Sequence, residues 1–220
     1  MLKGRPMKLY FTRNYNPRLA VATARYLNAP VDYEYAALFD PKTSAAFIKL
    51  NPNQRAPILV EGERVTWEAD AIACRLSQIM KSDFWPTDDA LPELIGWLSW
   101  GYWNFVRACD LVHFERVTKQ RYGHGPIEQN KVDEGLAEFA SASKILNEHL
   151  NGKQWLLGDH LTYADFRLAC VLPFANLAGL PLADYPVVEQ WHNRLLELEA
   201  WRDPFKGLTA PELPQIAVSA

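Results

Sequence analysis

Residues 51 to 76 read Asn-Pro-Asn-Gln-Arg-Ala-Pro-Ile-Leu-Val-Glu-Gly-Glu-Arg-Val-Thr-Trp-Glu-Ala-Asp-Ala-Ile-Ala-Cys-Arg-Leu, and they carry the most specific chemistry in the chain. Ile58-Leu59-Val60 is a short apolar strand, Glu61-Gly62 sits at a hairpin turn, and Arg64-Val65-Thr66 returns antiparallel. Ala69, Ile72, Ala73 and Leu76 then recur at helical spacing. Pro57 stands at the entry of the apolar strand, where a missing N–H is tolerated only at an edge or first position. The Ala56-Pro57 bond is a candidate for the cis form, which costs only ~0.5–1 kcal/mol before proline. A cis bend turns the main-chain N–H and C=O of Ala56 outward, free to pair with an extended peptide. The helix beginning near Glu68 adds N–H donors able to hold a carboxylate. A peptide edge beside carboxylate donors suits a small, acidic, peptide-like ligand.

Those residues need a sheet to hold them. Lys8-Leu9-Tyr10-Phe11 is a strand pattern that runs into Thr12-Arg13-Asn14-Tyr15-Asn16-Pro17. Proline favours the first helical position and Asn16 before it is a good cap, so a helix is predicted from Pro17, with Leu19, Ala22, Tyr26 and Leu27 as its apolar stripe and Asn28-Ala29-Pro30 ending it. Val31 to Leu38 alternates like a strand, and Thr43 to Leu50 reads as a short helix. With the hairpin and a helix from Glu68 to about Met80, the order is βαβαββα, which implies a mixed sheet covered by helices.

Lys81 to Ala90 breaks the pattern with Pro86, Thr87 and aspartates. We read residues 1–82 as one domain, 83–90 as a linker and 91–220 as an all-helical domain. Leu91 to about Tyr122 is a long helical pattern, ended by Gly123-His124-Gly125-Pro126. Ile127 to Leu150 is a second, and Thr162 to Leu177 and Val187 to Trp201 are two more. The tail from Pro204 reads as irregular. Thr162 and Asp165 have capping-box spacing, which assigns Asp165 a structural role.

Composition narrows the function. The 220 residues are 49% hydrophobic and 22% charged with a net charge of −3, giving no reason to expect nucleic acid or a membrane surface. No apolar run is long enough to span a bilayer, and Met-Leu-Lys-Gly-Arg-Pro lacks the apolar core of a secretory signal. Cys74, Cys109 and Cys170 lie in apolar helical patterns and read as buried, reduced thiols. The five histidines show no ligand spacing, so no metal is expected. The chain reads as cytoplasmic.

Three stretches together resemble the cytosolic glutathione S-transferase family. Ala56-Pro57 and Glu68-Ala69-Asp70-Ala71-Ile72 resemble its Val-Pro bend and Glu-Ser-x-Ala-Ile helix start. Trp155 to Asp165 resembles its Gly-x-x-x-Thr-x-Ala-Asp helix entry, and Tyr185-Pro186 through Arg194 its Tyr-Pro…Trp…Arg helix. The features are those of a bacterial member, partly nu-like and partly theta-like. The resemblance implies an α/β N-terminal domain of thioredoxin-like fold followed by an all-α domain. It implies a homodimer that binds glutathione as co-substrate, stabilises its thiolate and transfers it to a small apolar electrophile, as in detoxification. Glutathione-dependent peroxidase or disulfide reductase activity lies within the same family.

By the same resemblance, Arg55 pairs with the glycyl carboxylate, Ala56 and Pro57 present the main-chain edge, and Glu68 faces the γ-glutamyl ammonium. Asp70 helps from across the dimer interface. Ala69 stands where the family places a hydroxyl for the γ-glutamyl carboxylate; one neutral hydrogen bond is worth ~0.5–1.5 kcal/mol, about tenfold in affinity. The sulfur needs a donor at the end of the first strand or the start of the first helix. No Ser or Cys lies between Met7 and Ala22, which leaves Asn16, Tyr15, Tyr10 or main-chain donors alone. In the helix from Leu91, Trp103 and Arg107 would line the electrophile pocket, while most of its other aromatics read as core. Ala69 and the missing Ser or Cys also suit an alternative, a non-catalytic module of the same fold used for protein association.

Overall fold

A computed structural model describes residues 6–216. It divides into two compact units. The first runs to Trp85 and takes in Leu198–Glu212; the second holds Pro86–Glu197 and the chain from Leu213.

In the first unit, β1 (Met7–Phe11) and β2 (Val31–Tyr35) pair in parallel, joined by α1 (Tyr15–Tyr26). After α2 (Ser44–Leu50), β3 (Ile58–Glu61) pairs antiparallel with β1 and β4 (Arg64–Trp67) with β3, and α3 (Ala69–Met80) follows. The strand order is β2-β1-β3-β4, a mixed four-stranded sheet. Alternation on β1 buries Met7, Leu9 and Phe11 and leaves Lys8 and Tyr10 half-exposed. On the Tyr10 side, Ala36, Leu38, Phe47 and Ile58 form a buried cluster. The ring of Tyr10 meets Phe47 edge-on at 5.3 Å, so this tyrosine is occupied in packing. Helices α1 and α3 pack together, burying Leu19 and Ala22 from one and Ile72, Ala73 and Leu76 from the other.

Three local expectations are corrected. Helix α1 begins two residues earlier than the proline suggests: its N-cap is Asn14, and Asn16 lies inside the first turn. The first four N–H groups of a helix have no partner within it, so Pro17 fits as the third helical residue. Arg18 then makes the first regular bond, from its N–H to the Asn14 carbonyl at 2.9 Å. The hairpin loop is Gly62-Glu63, with Gly62 at φ 60°, the positive-φ first position of a type II′ turn. The segment 198–212 packs with the sheet unit rather than the helices, carrying α11 (Glu199–Arg202) with it.

The second unit is helical. The long pattern from Leu91 is one rod built of α4 (Leu91–Gly101), α5 (Arg107–His113) and α6 (Lys119–Tyr122), joined by π-helical turns at Tyr102–Val106 and Phe114–Thr118. Its buried seam runs through Leu94, Leu98, Gly101, Phe105, Cys109 and Val112. The rod's aromatic set, Trp97, Trp100, Trp103, Phe105 and Phe114, lies mostly off that seam. Of its members only Phe105 is fully buried, whereas Trp103 and Phe114 are exposed and Trp97 and Trp100 half-buried. The expectation that most are core fails because aliphatic side chains fill most of the inward seam and only Phe105 of these aromatics joins it.

Helix α7 (Gln129–His149) lies against this rod, close enough that a Cβ on Gly135 would sit 2.7 Å from Val112. The stretch expected as one helix from Thr162 is α8 (Tyr163–Ala169), a 3-10 turn at Leu172–Phe174 and α9 (Ala175–Ala178). Pro173 cannot donate into a continuous ladder. Helix α10 (Pro186–Leu196) likewise stops before Leu198, which is extended.

Asp165 closes a capping box with Thr162 and also accepts from the Leu156 N–H at 2.9 Å and Trp191 Nε1 at 2.9 Å. Its role is structural. Cys109 and Cys170 are buried and Cys74 only half-buried, and none of the three is in a disulfide.

Candidate functional site

The sheet register brings three separated segments to one end. Tyr10 pairs with Ile58 and Ile58 with Trp67, so the exit of β1, the entry of β3 and the exit of β4 lie side by side. Residues 12–16 continue from the first, 55–57 lead into the second, and 68–70 follow the third. Neighbouring strands are ~4.8 Å apart, so the outer two segments are separated by about 10 Å. An extended tripeptide has about that length at ~3.3 Å per residue.

Along this edge the Ala56-Pro57 bond is cis and Pro57 is buried. Among the described residues neither the N–H nor the C=O of Ala56 has a backbone partner. The loop before it is braced from below. Asn51, 2% exposed, donates through Nδ2 to the Arg55 carbonyl at 2.9 Å and accepts at Oδ1 from the Asn53 N–H at 3.0 Å. Gln54, held at φ 52°, donates through Nε2 to the Leu38 carbonyl at 2.7 Å and to the Ser44 hydroxyl at 2.6 Å. Ala56 is thus fixed to the β2–α2 connection by side chains that the sequence reading passed over. The Asn-Pro-Asn run was the available signal, since Asn side chains bond their own turns.

Glu68 is the N-cap of α3 at φ 73° and ψ 133°, a conformation that a side chain rarely adopts. Its backbone strain is of order 1–3 kcal/mol and persists only where surrounding structure imposes it. Two contacts impose it: the hairpin ladder fixes Trp67 opposite Ile58, and Arg75 on α3 forms a two-pronged ion pair with Glu61 on β3, with Nε and Nη2 at 2.9 and 2.7 Å from Oε2. Arg75 was also missed, because nothing in its spacing marks a partner fourteen residues back. The Glu68 side chain is exposed, Ala69 is 3% exposed and Asp70 half-buried.

At the β1 end, Tyr15 and Asn16 occupy the first turn of α1 and are half-buried. Arg55 is exposed. In the second unit Trp103 is 66% exposed on the first π turn, and Arg107 just beyond it pairs with Glu138 and, at 3.5 Å, with Glu134 on α7. Those acids hold the Arg107 guanidinium firmly protonated. Burial pushes the Cys109 thiol well up and the Cys74 thiol up, so neither is a ready thiolate. Among the described residues no group of His, Cys, Asp and Glu is arranged to hold a metal ion, and no helix is long and apolar enough to cross a membrane.

A mixed sheet of this order with flanking helices, followed by a helical unit, defines a thioredoxin-like domain joined to an all-α domain. The glutathione S-transferase N-terminal domain profile matches residues 5–76, and the C-terminal domain profile of that family matches residues 129–194. A glutathione S-transferase-like protein of a Fusarium species is 33% identical over 88 residues, 39% of this chain and 40% of that protein. Glutathione S-transferase theta-1 of Bos taurus is 29% identical over 157 residues, 69% of this chain and 65% of that protein. The matched regions thus span less than two thirds of these relatives' own lengths. Among solved structures, a glutathione transferase family member from Pseudomonas fluorescens with two glutathione bound has a TM-score of 0.77 at 16% identity, over 93% of this chain and 94% of that one. The chain belongs to the glutathione S-transferase family.

Proposed function

We propose that the protein is a glutathione transferase: it binds glutathione along the Ala56 edge, stabilises its thiolate at the start of α1, and passes it to a small apolar electrophile. The observation that carries this reading is the alignment of the unpaired Ala56 main chain with the strained Glu68 N-cap and the first turn of α1 at one end of the sheet. Glutathione is an extended, acidic, peptide-like molecule, and the P. fluorescens relative of the same fold is described with glutathione bound.

Each group has a role along the tripeptide. Arg55 meets the glycyl carboxylate, and the Ala56 N–H and C=O pair with the cysteinyl main chain. Glu68 faces the γ-glutamyl ammonium, while the Ala69 N–H at the start of α3 receives its carboxylate. Asp70 contributes from across a two-fold homodimer interface. Asn16 donates its carboxamide N–H₂ to the sulfur. An amide donates to an anion without losing a proton, so it acts across the neutral range. Trp103 supplies apolar surface and Arg107 charge to the electrophile. The protein acts in the cytoplasm, with no metal and no nucleic-acid partner.

Isothermal titration with glutathione tests the reading: saturable binding at or below millimolar concentration is expected, and none would overturn it. Ala69 gives a specific reason to keep a second reading, a non-catalytic association module, and that same null result would favour it. Sedimentation at micromolar concentration is expected to show a dimer; a stable 25 kDa species would reject that part.

A further inference from the structure

The C-terminal segment holds the loop between β1 and α1 and also α1 itself. Three arginines each donate to a main-chain carbonyl of residues 201–211: Arg13 Nε to Pro211 at 3.0 Å, Arg18 Nη2 to Trp201, and Arg25 Nη2 to Lys206 at 2.6 Å. Rings reinforce them. Phe205 stacks on Phe11, the last residue of β1, with centroids 5.6 Å apart and planes 22° apart. The Arg13 guanidinium lies 5.4 Å from the Phe205 ring and that of Arg18 4.8 Å from the fully buried Trp201. Arg13 also pairs with Glu212 at 2.9 Å, but Glu212 is 83% exposed, so that pair by itself contributes little. The single guanidinium bonds to main-chain carbonyls, the stacked ring and the buried tryptophan are the substantial contacts.

Two of the targets, Phe11 and Arg13, flank the exit of β1, while Arg18 lies in α1 and Arg25 in its last turn. Phe11 ends β1, Arg13 follows it by two residues, and Tyr15 and Asn16 come next in the chain. We propose that residues 201–212 act as a strap whose contacts with Phe11 and Arg13 set the position of the first turn of α1, making Arg13 and Phe205 positioning residues for the group that faces the sulfur. The link to sulfur rests on the glutathione reading above; the strap itself does not. Loops are the least constrained parts of a fold, and a donor that must sit within hydrogen-bond range of a sulfur gains from having its approach fixed on both sides. Here the sheet fixes one side through β1 and the strap fixes the other.

The test uses the full chain carrying Arg13→Gln or Phe205→Leu, with two readouts. Amide hydrogen exchange is expected to quicken about tenfold or more over residues 12–19 while the hairpin 58–67 is unchanged, and Arg13→Lys, which keeps the charge but not the planar guanidinium with its Nε donor, to fall between. The pKa of the glutathione thiol in the complex is expected to rise in both variants relative to the parent, a response that a merely structural contact would not give. Unchanged exchange at 12–19 in both variants overturns the strap. Quickened exchange with an unmoved thiol pKa overturns its coupling to the sulfur. A parent protein that leaves the thiol at its free value overturns the functional reading instead, and exchange alone then decides the strap.

Discussion

Ile58 on β3 pairs directly with Trp67 on β4, and that single register contact sets the next residues outward, Pro57 and Glu68, beside each other at the end of the sheet. One carries the cis bond that exposes the Ala56 main chain, the other the strained cap of α3. A slip of one residue in the hairpin would turn every side chain over and separate the two. The proposed glutathione site depends on this pairing more than on any single side chain.

Ala69→Ser restores the hydroxyl that the family places at this position. It is expected to tighten glutathione binding by up to about tenfold, the worth of one neutral hydrogen bond. Calorimetric titration of the parent and the variant side by side measures it. Weaker binding by the serine variant would show that the γ-glutamyl end lies elsewhere.

Asn51→Ala removes both bonds that close the loop ahead of Ala56, leaving the Arg55 carbonyl and the Asn53 N–H unmet. Because Asn51 is buried, a loss of roughly 1–3 kcal/mol in unfolding free energy is expected. The KM for glutathione should rise with kcat little changed, since the edge that binds the peptide loosens while the sulfur donor stays. Denaturant melts and steady-state kinetics check the two parts separately.

Arg75→Met cuts the fork that ties α3 to the hairpin through Glu61. The pair is partly buried, with 26% of the Arg75 and 16% of the Glu61 side chain exposed, and its loss is expected to cost about 1–3 kcal/mol. A drop in glutathione affinity should accompany it, because the position of Glu68 relative to Ala56 is then set by the ladder alone. Urea unfolding together with calorimetry reads both.

Two buried groups of the helical unit oppose each other in acid. Burial raises the Asp165 carboxyl to about 6 despite its hydrogen bonds, so the native state holds that proton more tightly than the unfolded chain. Its contribution to stability therefore falls as pH rises from about 4 to about 6 and is flat above. Burial, helped by the charge of Arg121, lowers His113 to about 4, so its contribution is full above pH about 6.5 and is lost as pH falls toward 4. The expected outcome is that His113→Gln, relative to the parent, gains stability as pH falls from 6.5 to 4. Thermal melts across that range check it; parallel curves for the two proteins would contradict the assignment.

Much of the first unit was legible. Alternation on Lys8 to Phe11, the apolar run Ile58 to Val60 and the 69-72-73-76 stripe each obey one period, and Pro57 at a strand entry marked the unusual bond. What the sequence hid were contacts made at a distance by polar side chains. Gln54 reaching Leu38, Arg75 reaching Glu61, and three arginines reaching the carbonyls of the C-terminal segment have no local pattern to announce them. The same reason assigned residues 198–212 to the wrong unit. In the rod from Leu91 the difficulty was different: apolar residues recur on more than one face, and the burial of the seam, with the close approach of Leu168 to Gly101 and Val112 to Gly135, shows which one is inside.

The central claim is that Asn16 holds the glutathione thiolate, and a pH titration of thiolate absorbance in the complex tests it most directly. The parent is expected to show a thiol pKa at least one unit below the ordinary value of about 8.5. Asn16→Ala should move it back toward that value, and Tyr15→Phe should leave it nearly unchanged. A pKa that returns to the free value in Tyr15→Phe and stays low in Asn16→Ala would contradict the account and give the role to the tyrosine.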